Sequence, residues 1–511
     1  MSKAILQPFE DFQKARFTFV QSIADLAQRP QNIIALHSAG VMQLLRPLLL
    51  DSVQVIQQSA ALAIGRLANY SEEIAESVVQ NDIITQLIYS LSNQNRFYKK
   101  AACYVLRAVA KHSSSLADDI VKSGALDPLI QNLNEIDASV KESAAWALGY
   151  IAKHNSLLAE QVAEANAVEN LILCLQEPEV QLKRAASKTL SYIVQHTPEL
   201  AQKVAESGLE IICSFLTFND TQLKRNICLL LGNIAKHSID LSIAVWNNFT
   251  DPRLLLACLL DPDNEVRKNT AFCISEIVNK GPENAVKIVN QGGLGVLIEF
   301  VSTVKGEPRM YGIIAIGFIA AHNEKLAKAI IEEKGIQFLK SALENEASPQ
   351  IKAACCYALG QIGKHAPQHA NKVAENGVLG FILKNVVTSE ESDDLNIKAR
   401  RALKKIIKNC NNLKSLEPLI RIAPPKVMKH ILEQYDKYLK DDSHREYRKE
   451  FPSLGLKTLL ELANDKNYPL DLKEKIDKIA RDNYHSDIIK FYSPNYEELI
   501  YRDLEEKITN Y

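Results

Sequence analysis

A basic residue recurs along this chain at a near-constant interval: Lys99, Lys141, Lys183, Lys224, Arg267, Arg309 and Lys352. In four places a second base follows it, Lys100, Arg184, Arg225 and Lys268. Such a column can hold anions in two ways. Each cation can pair with a carboxylate of the neighbouring segment, such as Glu142 or Glu265, or the column can bind an acidic partner laid along the molecule. A second column, His112, His154, His196, His237, His322 and His365, keeps the same beat. Neighbouring histidines one layer apart, roughly 10 Å, are too distant to share a metal. A histidine at the end of a helix instead caps its last carbonyls and suits the dipole there. A third set, Tyr104, Trp146, Tyr150, Tyr192, Phe272, Phe318 and Tyr357, supplies aromatic side chains suited either to anchoring a partner or to packing between layers.

Other chemistry finds little footing. No phosphate-binding G-x-x-x-x-G-K-[ST], no H-E-x-x-H and no G-x-S-x-G occurs. GGLGVL at Gly292 falls at a turn of the repeat described below, and its position explains its glycines. The nine cysteines include no C-x-x-C pair, and most lie on apolar helical faces, as expected of buried, reduced thiols in a cytosolic protein. No metal or cofactor site is expected, and no catalysis.

The elements that carry these columns are set by a repeat. A small-residue pair, an apolar run, a glycine slot and a polar end recur from AALAIGRLANY at Ala60 to ARRALKKIIKNC at Ala399. The glycine slot holds Gly65, Arg107, Gly149, Ser191, Gly232, Ser275, Gly317, Gly360 and Lys404, spaced 42, 42, 42, 41, 43, 42, 43 and 44 residues apart. A period of this length is that of helical solenoid repeats. A glycine inside a helix costs about 1 kcal/mol against alanine. Its recurrence implies a neighbouring helix too close for a side chain. A second marker, at Gly40, Asp82, Gly124, Asn166, Gly208, Gly292, Gly335 and Gly377, predicts a left-handed residue at a sharp turn between a short helix and an apolar one. Pro178, Pro262 and Pro349 stop the apolar helix.

Composition agrees. With 47% hydrophobic residues, 24% charged, and only 19 Gly and 18 Pro in 511 residues, the chain has the make-up of a helical globular protein. Its 60 basic and 61 acidic residues give a net charge of −1, so nothing global points to nucleic acid or an anionic membrane. The N-terminal MSKAILQPFEDF does not read as a leader, and no stretch reads as a membrane span.

At A-x-W-A-L-G-x-I-A, Ala144–Ala152, and S-G-A-L-x-P-L, Ser123–Leu129, the chain resembles the armadillo-repeat family. That resemblance implies an all-α, right-handed superhelical solenoid. Nuclear-import adaptors of this fold line their groove with Trp and Asn one turn apart. Here no copy has both, Trp146 being followed by Tyr150 and Asn233 preceded by Leu229, so an import role is disfavoured. The closer resemblance is to the armadillo proteins of the ciliary central apparatus. It is carried by ADLAQRPQNI near the start, LEPLIRIAPPKVMKHIL at Leu416–Leu432 and IIKFYSPNYEELI at Ile488–Ile500. It implies a scaffold of the axoneme that supports central-pair microtubules, with other central-apparatus proteins and tubulin as partners. A soluble adaptor carrying extended peptides in transport or signalling is the alternative.

The organisation expected is a capping helix or partial repeat over residues 1–30, about nine repeats over 31–410, and a helical tail over 411–511 that breaks the period. Tail helices are predicted at about 426–439, 454–464, 470–483 and 495–507. An open-ended stack invites contact with a second copy. The residues expected to meet a partner are Lys99, Lys141, Lys183, Arg184, Lys224, Arg225, Arg267, Arg309 and Lys352 of the basic column, with Tyr104, Trp146, Tyr150 and Tyr192.

Overall fold

The computed structural model describes residues 3–91, 94–390 and 393–496, and all of its regular elements among these are helical. The chain forms two compact units, Met1–Leu255 and Leu256–Tyr511.

In the first unit the Ala-Ala…Gly motif forms five helices of equal length, 15 residues each: Gln54–Ala68, Arg96–Ala110, Ala138–Ala152, Val180–Val194 and Thr221–Ala235. Local chemistry sets where several begin. Asn95, Asp137 and Asp220 stand just before their helices and accept hydrogen bonds from its first free amides. Within this unit, consecutive motif helices pack on one another. The alanines allow that approach: Ala60, Ala102, Ala144 and Ala185 are fully buried. At the glycine slot the helices come closer still. A Cβ on Gly65 would lie 2.5 Å from the Tyr104 ring, and one on Gly149 would lie 2.5 Å from Thr189 Oγ1.

A short helix follows each motif helix, as at Glu72–Gln80, Ser114–Lys122 and Ser156–Glu164. Next come the turn residues Asp82, Gly124 and Asn166, with φ of 53°, 82° and 63°, and then the apolar helices Ile83–Leu91, Leu126–Leu133 and Ala167–Gln176. The N-terminal helix Lys3–Leu26 packs on Gln54–Ala68, and Arg66 Nη1 donates to the Ala24 carbonyl 42 residues before it.

The second unit repeats the scheme with motif helices Asn264–Lys280, Glu307–His322, Pro349–Ile362 and Asp394–Asn409. The short helix Pro282–Asn290 and the apolar helix Gly293–Thr303 meet at 83° across Gly292, whose φ is 79°. Beyond the last motif helix, Pro425–Tyr438 packs on Asp394–Asn409, and Leu470–Asn483 packs on Pro425–Tyr438. Around these the tail buries Tyr435 and Phe451, stacked at 4.8 Å.

Three details differ from the sequence reading. Gly208 has φ 178°, an extended conformation, and its lack of a side chain serves proximity: a Cβ would lie 2.7 Å from Ile172 Cγ2. The left-handed residue expected at Gly335 is Lys334, with φ 61°. Gly335 opens the next helix, where a Cβ would meet Ile330 Cγ2 at 2.6 Å. The tail also holds helices at Arg445–Phe451 and Ser486–Tyr492 that the pattern did not suggest. The helix expected near 495–507 lies almost wholly outside the described residues.

Candidate partner-binding face

The basic column does not face outward. Lys183 Nζ donates to the Leu175 carbonyl at 2.5 Å, and Arg309 Nε to the Val301 carbonyl at 2.5 Å. Both acceptors lie at the end of the apolar helix just before the motif helix. The two copies without a base do the same with an amide: Gln57 Nε2 donates to the Asp51 carbonyl, and Asn396 Nδ2 to the Val386 and Ser389 carbonyls. At these four copies the column is therefore a donor slot. It closes the carbonyl end of the preceding helix, where the dipole favours a cation.

The remaining charge is met by carboxylates of the following repeat. Lys99 pairs with Glu135 at 2.5 Å, Lys141 with Glu177 at 2.6 Å and Arg309 with Glu346 at 2.8 Å. Arg184 forms a fork with Asp220, Nε to Oδ1 at 3.0 Å and Nη2 to Oδ2 at 2.5 Å. These, and not Glu142 or Glu265, are the partners. Lys99, Lys183 and Arg309 are buried. An outward anionic stripe is thus corrected at Lys99, Lys141, Lys183, Arg184 and Arg309: Lys183 is held by a carbonyl, and the other four pair with carboxylates of the chain itself. Lys224, Arg225, Arg267 and Lys352 hold the same register half-buried. Arg225 bonds Gln222 at 3.2 Å, and Arg267 bonds Asn264.

The histidines also act between layers. Nε2 of His112, His154, His196, His237, His322 and His365 meets the carbonyl of Ala68, Ala110, Ala152, Val194, Val278 and Ala320 at 2.6–2.8 Å. The expectation that each would cap its own helix is corrected: the carbonyl lies near the end of the motif helix one repeat earlier. A carbonyl only accepts, so Nε2 carries the proton. Several neighbours assist, as when Lys364 Nζ donates to the Ala321 carbonyl at 2.7 Å.

With these columns turned inward, the open surface of the motif helices in the first unit is aromatic and basic. Tyr104 lies against Gly65. Trp146 and Tyr150 have ring centroids 6.3 Å apart, and Tyr150 and Tyr192 likewise 6.3 Å. Arg107 lies over Trp146 at 5.2 Å and over Tyr150 at 5.4 Å; Lys153 lies 5.8 Å from both Tyr150 and Tyr192; Lys188 lies 4.9 Å from Tyr192. The four aromatics are half-buried, so each packs between layers and also presents an edge to solvent. The sequence reading found these rings and missed the cations. In sequence Arg107 stands in a glycine slot and Lys188 in no column, and it is stacking that brings Arg107 of one repeat over Trp146 and Tyr150 of the next.

All nine cysteines are buried, and none is in a disulfide. Burial pushes the Cys103 and Cys213 thiols up to about 12 and Cys174 to about 11, so they stay protonated near neutrality. Among the described residues, no three His, Cys, Asp or Glu side chains are grouped to hold a metal ion, and no single helix is long and apolar enough to cross a membrane.

Three-helix layers stacked through close glycine and alanine contacts define an armadillo-repeat protein, a fold of binding scaffolds. The model of the Armadillo/beta-catenin-like repeat matches residues 113–153, and that of the HEAT repeat matches 253–281. The crystal structure of an engineered protein superposes with a TM-score of 0.70 at 23% identity, covering 76% of this chain and 94% of its own, a likeness of fold. Sperm-associated antigen 6 of mouse and that of human are each 46% identical to this chain over 498 residues, covering 98% of it and 97% of the relative. The chain belongs to the sperm-associated antigen 6 family of armadillo-repeat proteins.

Proposed function

We propose that this protein is a non-catalytic scaffold of the axonemal central apparatus. In this reading it supports assembly and stability of the central-pair microtubules, and hence ciliary motility. The observation that carries the reading is the reach of the kinship. It spans 98% of the chain, so it includes the tail beyond the repeats as well as the repeats themselves. An armadillo fold alone serves many partners. The partners proposed are other central-apparatus proteins, with tubulin a further one and a second copy of the chain another.

Tyr104, Trp146, Tyr150 and Tyr192 are the proposed docking residues. The basic column holds the layers in register beneath them. Protonated, buried thiols suit a reducing compartment such as the cytoplasm and axoneme. Co-sedimentation tests the assignment. The tagged chain should stay with axonemes after detergent extraction and leave only under conditions that strip central-pair proteins. Release with the soluble fraction would favour the adaptor reading instead.

A further inference from the structure

We propose that Thr388 is a phosphorylation site for an acid-directed protein kinase, and that the phosphate completes an ion pair between layers with Lys352.

Register is the first ground. Bases of the column and its neighbour meet a carboxylate 36 or 37 residues further on: Lys99 with Glu135, Lys141 with Glu177, Arg184 with Asp220 and Arg309 with Glu346. Glu135, Glu177 and Glu346 stand just beyond the end of the apolar helix in the next layer, so each pair ties two layers together. Lys352 holds the column's place in helix Pro349–Ile362, and among the described residues no ion pair reaches it. The residue 36 positions after it is Thr388, the last of the apolar helix Val378–Thr388. This layer has the cation and, in place of the acid, a hydroxyl.

Space and access are the second ground. Lys352 and Thr388 line one open cleft of about 700 Å³, together with Asn385, Glu390 and Asp393, which leaves room for a phosphoryl group. Thr388 is exposed, and its Oγ1 donates to the Lys384 carbonyl at 2.9 Å, a bond the modified side chain gives up. Ser389 leaves the helix in an extended conformation, φ −107° and ψ 155°. Helix ends fray, so a kinase can take up the chain here. The sequence that follows Thr388 is S-E-E-S-D-D, Ser389–Asp394, and a kinase groove lined with bases selects such a segment by charge.

In the reaction Thr388 Oγ1 attacks the γ-phosphorus of a nucleoside triphosphate held by the kinase. The Oγ1–P bond forms, the bond from that phosphorus to the β,γ-bridging oxygen breaks, the nucleoside diphosphate leaves, and the hydroxyl proton passes to the kinase's base. The product carries a charge of about −1.5 to −2 and three acceptor oxygens. A helix C-terminus disfavours an anion, and Glu390 and Asp393 lie close by. Other layers bear the same arrangement: Glu177 follows helix Ala167–Gln176 with Glu179 two residues on, and Glu135 stands two residues before Asp137. There the base of the preceding layer supplies the compensating charge, as Lys352 does here.

The test treats the full-length chain with casein kinase II and ATP, maps phosphate by mass spectrometry, and then measures amide exchange. Phosphate is expected on Thr388, with none there in Thr388→Ala or after treatment with a base-directed kinase. Exchange in 349–362 and 378–388 should slow roughly threefold on phosphorylation. Lys352→Gln should accept the phosphate equally and show no slowing. Without any kinase, Thr388→Glu should exchange more slowly in these segments than the neutral Thr388→Gln, which keeps the test open should Lys352→Gln not fold. Absence of phosphate from Thr388, phosphate confined to Ser389 or Ser392, equal slowing with and without Lys352, or no difference between Thr388→Glu and Thr388→Gln would overturn the assignment.

Discussion

His154 Nε2 lies 2.6 Å from the carbonyl oxygen of Ala110, and 44 residues of chain separate them. The bond joins the end of one motif helix to the end of the next. Five other histidines make the same link, so within each unit successive layers are fastened at a helix end whose carbonyls have no partner within their own helix. His154→Ala should remove about 1 kcal/mol of stability. Because stacked repeats open locally, the loss should appear as faster amide exchange in 96–110 and 138–152 rather than uniformly.

Acid should loosen this fastening. Burial holds the His196 and His365 imidazoles below their ordinary value of 6.5, outweighing the carbonyl bond that favours the proton. The unfolded chain therefore takes up protons first as pH falls. The stabilisation is present above about pH 6.5 and is lost as pH drops through the lower folded value. Urea midpoints measured from pH 7.5 to 5 should fall, and the fall should be shallower in His196→Gln/His365→Gln.

Two glycines in one unit should respond oppositely to a methyl group. At Gly360 a Cβ would meet the Ala402 Cα at 2.8 Å, and backbone cannot move aside. Gly360→Ala should therefore destabilise by about 1–3 kcal/mol, as overpacking does. Gly380, inside helix Val378–Thr388, has open space around it. Gly380→Ala should be stabilising by about 0.5–1 kcal/mol. Thermal unfolding of the two variants decides both.

The repeat was legible because two constraints recur on one beat. Close stacking demands small residues at Ala60, Ala102 and Ala144, and the inter-helix turn demands a residue that tolerates positive φ. What sequence could not resolve was direction. A lysine at the start of a helix looks as though it needs an outside anion. Lys183 finds its acceptor at Leu175, eight residues back, because the chain folds sharply there. The aromatic strip was half legible: Trp146, Tyr150 and Tyr192 stood out by type. Arg107 and Lys188 did not, since only stacking brings residues of different repeats together.

Lys334 gives a further check. It holds φ 61°, where a Cβ is strained, one residue before a glycine that is needed for closeness to Ile330. Lys334→Gly should raise stability by about 0.5–1 kcal/mol, and Gly335→Ala should lower it. Paired denaturation curves would show both.

The most direct test of the scaffold reading is to follow a tagged copy in a motile ciliated cell and to score beating after the chain is deleted. The account predicts signal along the cilium, and loss of the central pair or paralysis on deletion. Diffuse signal in the cell body with normal beating would contradict it.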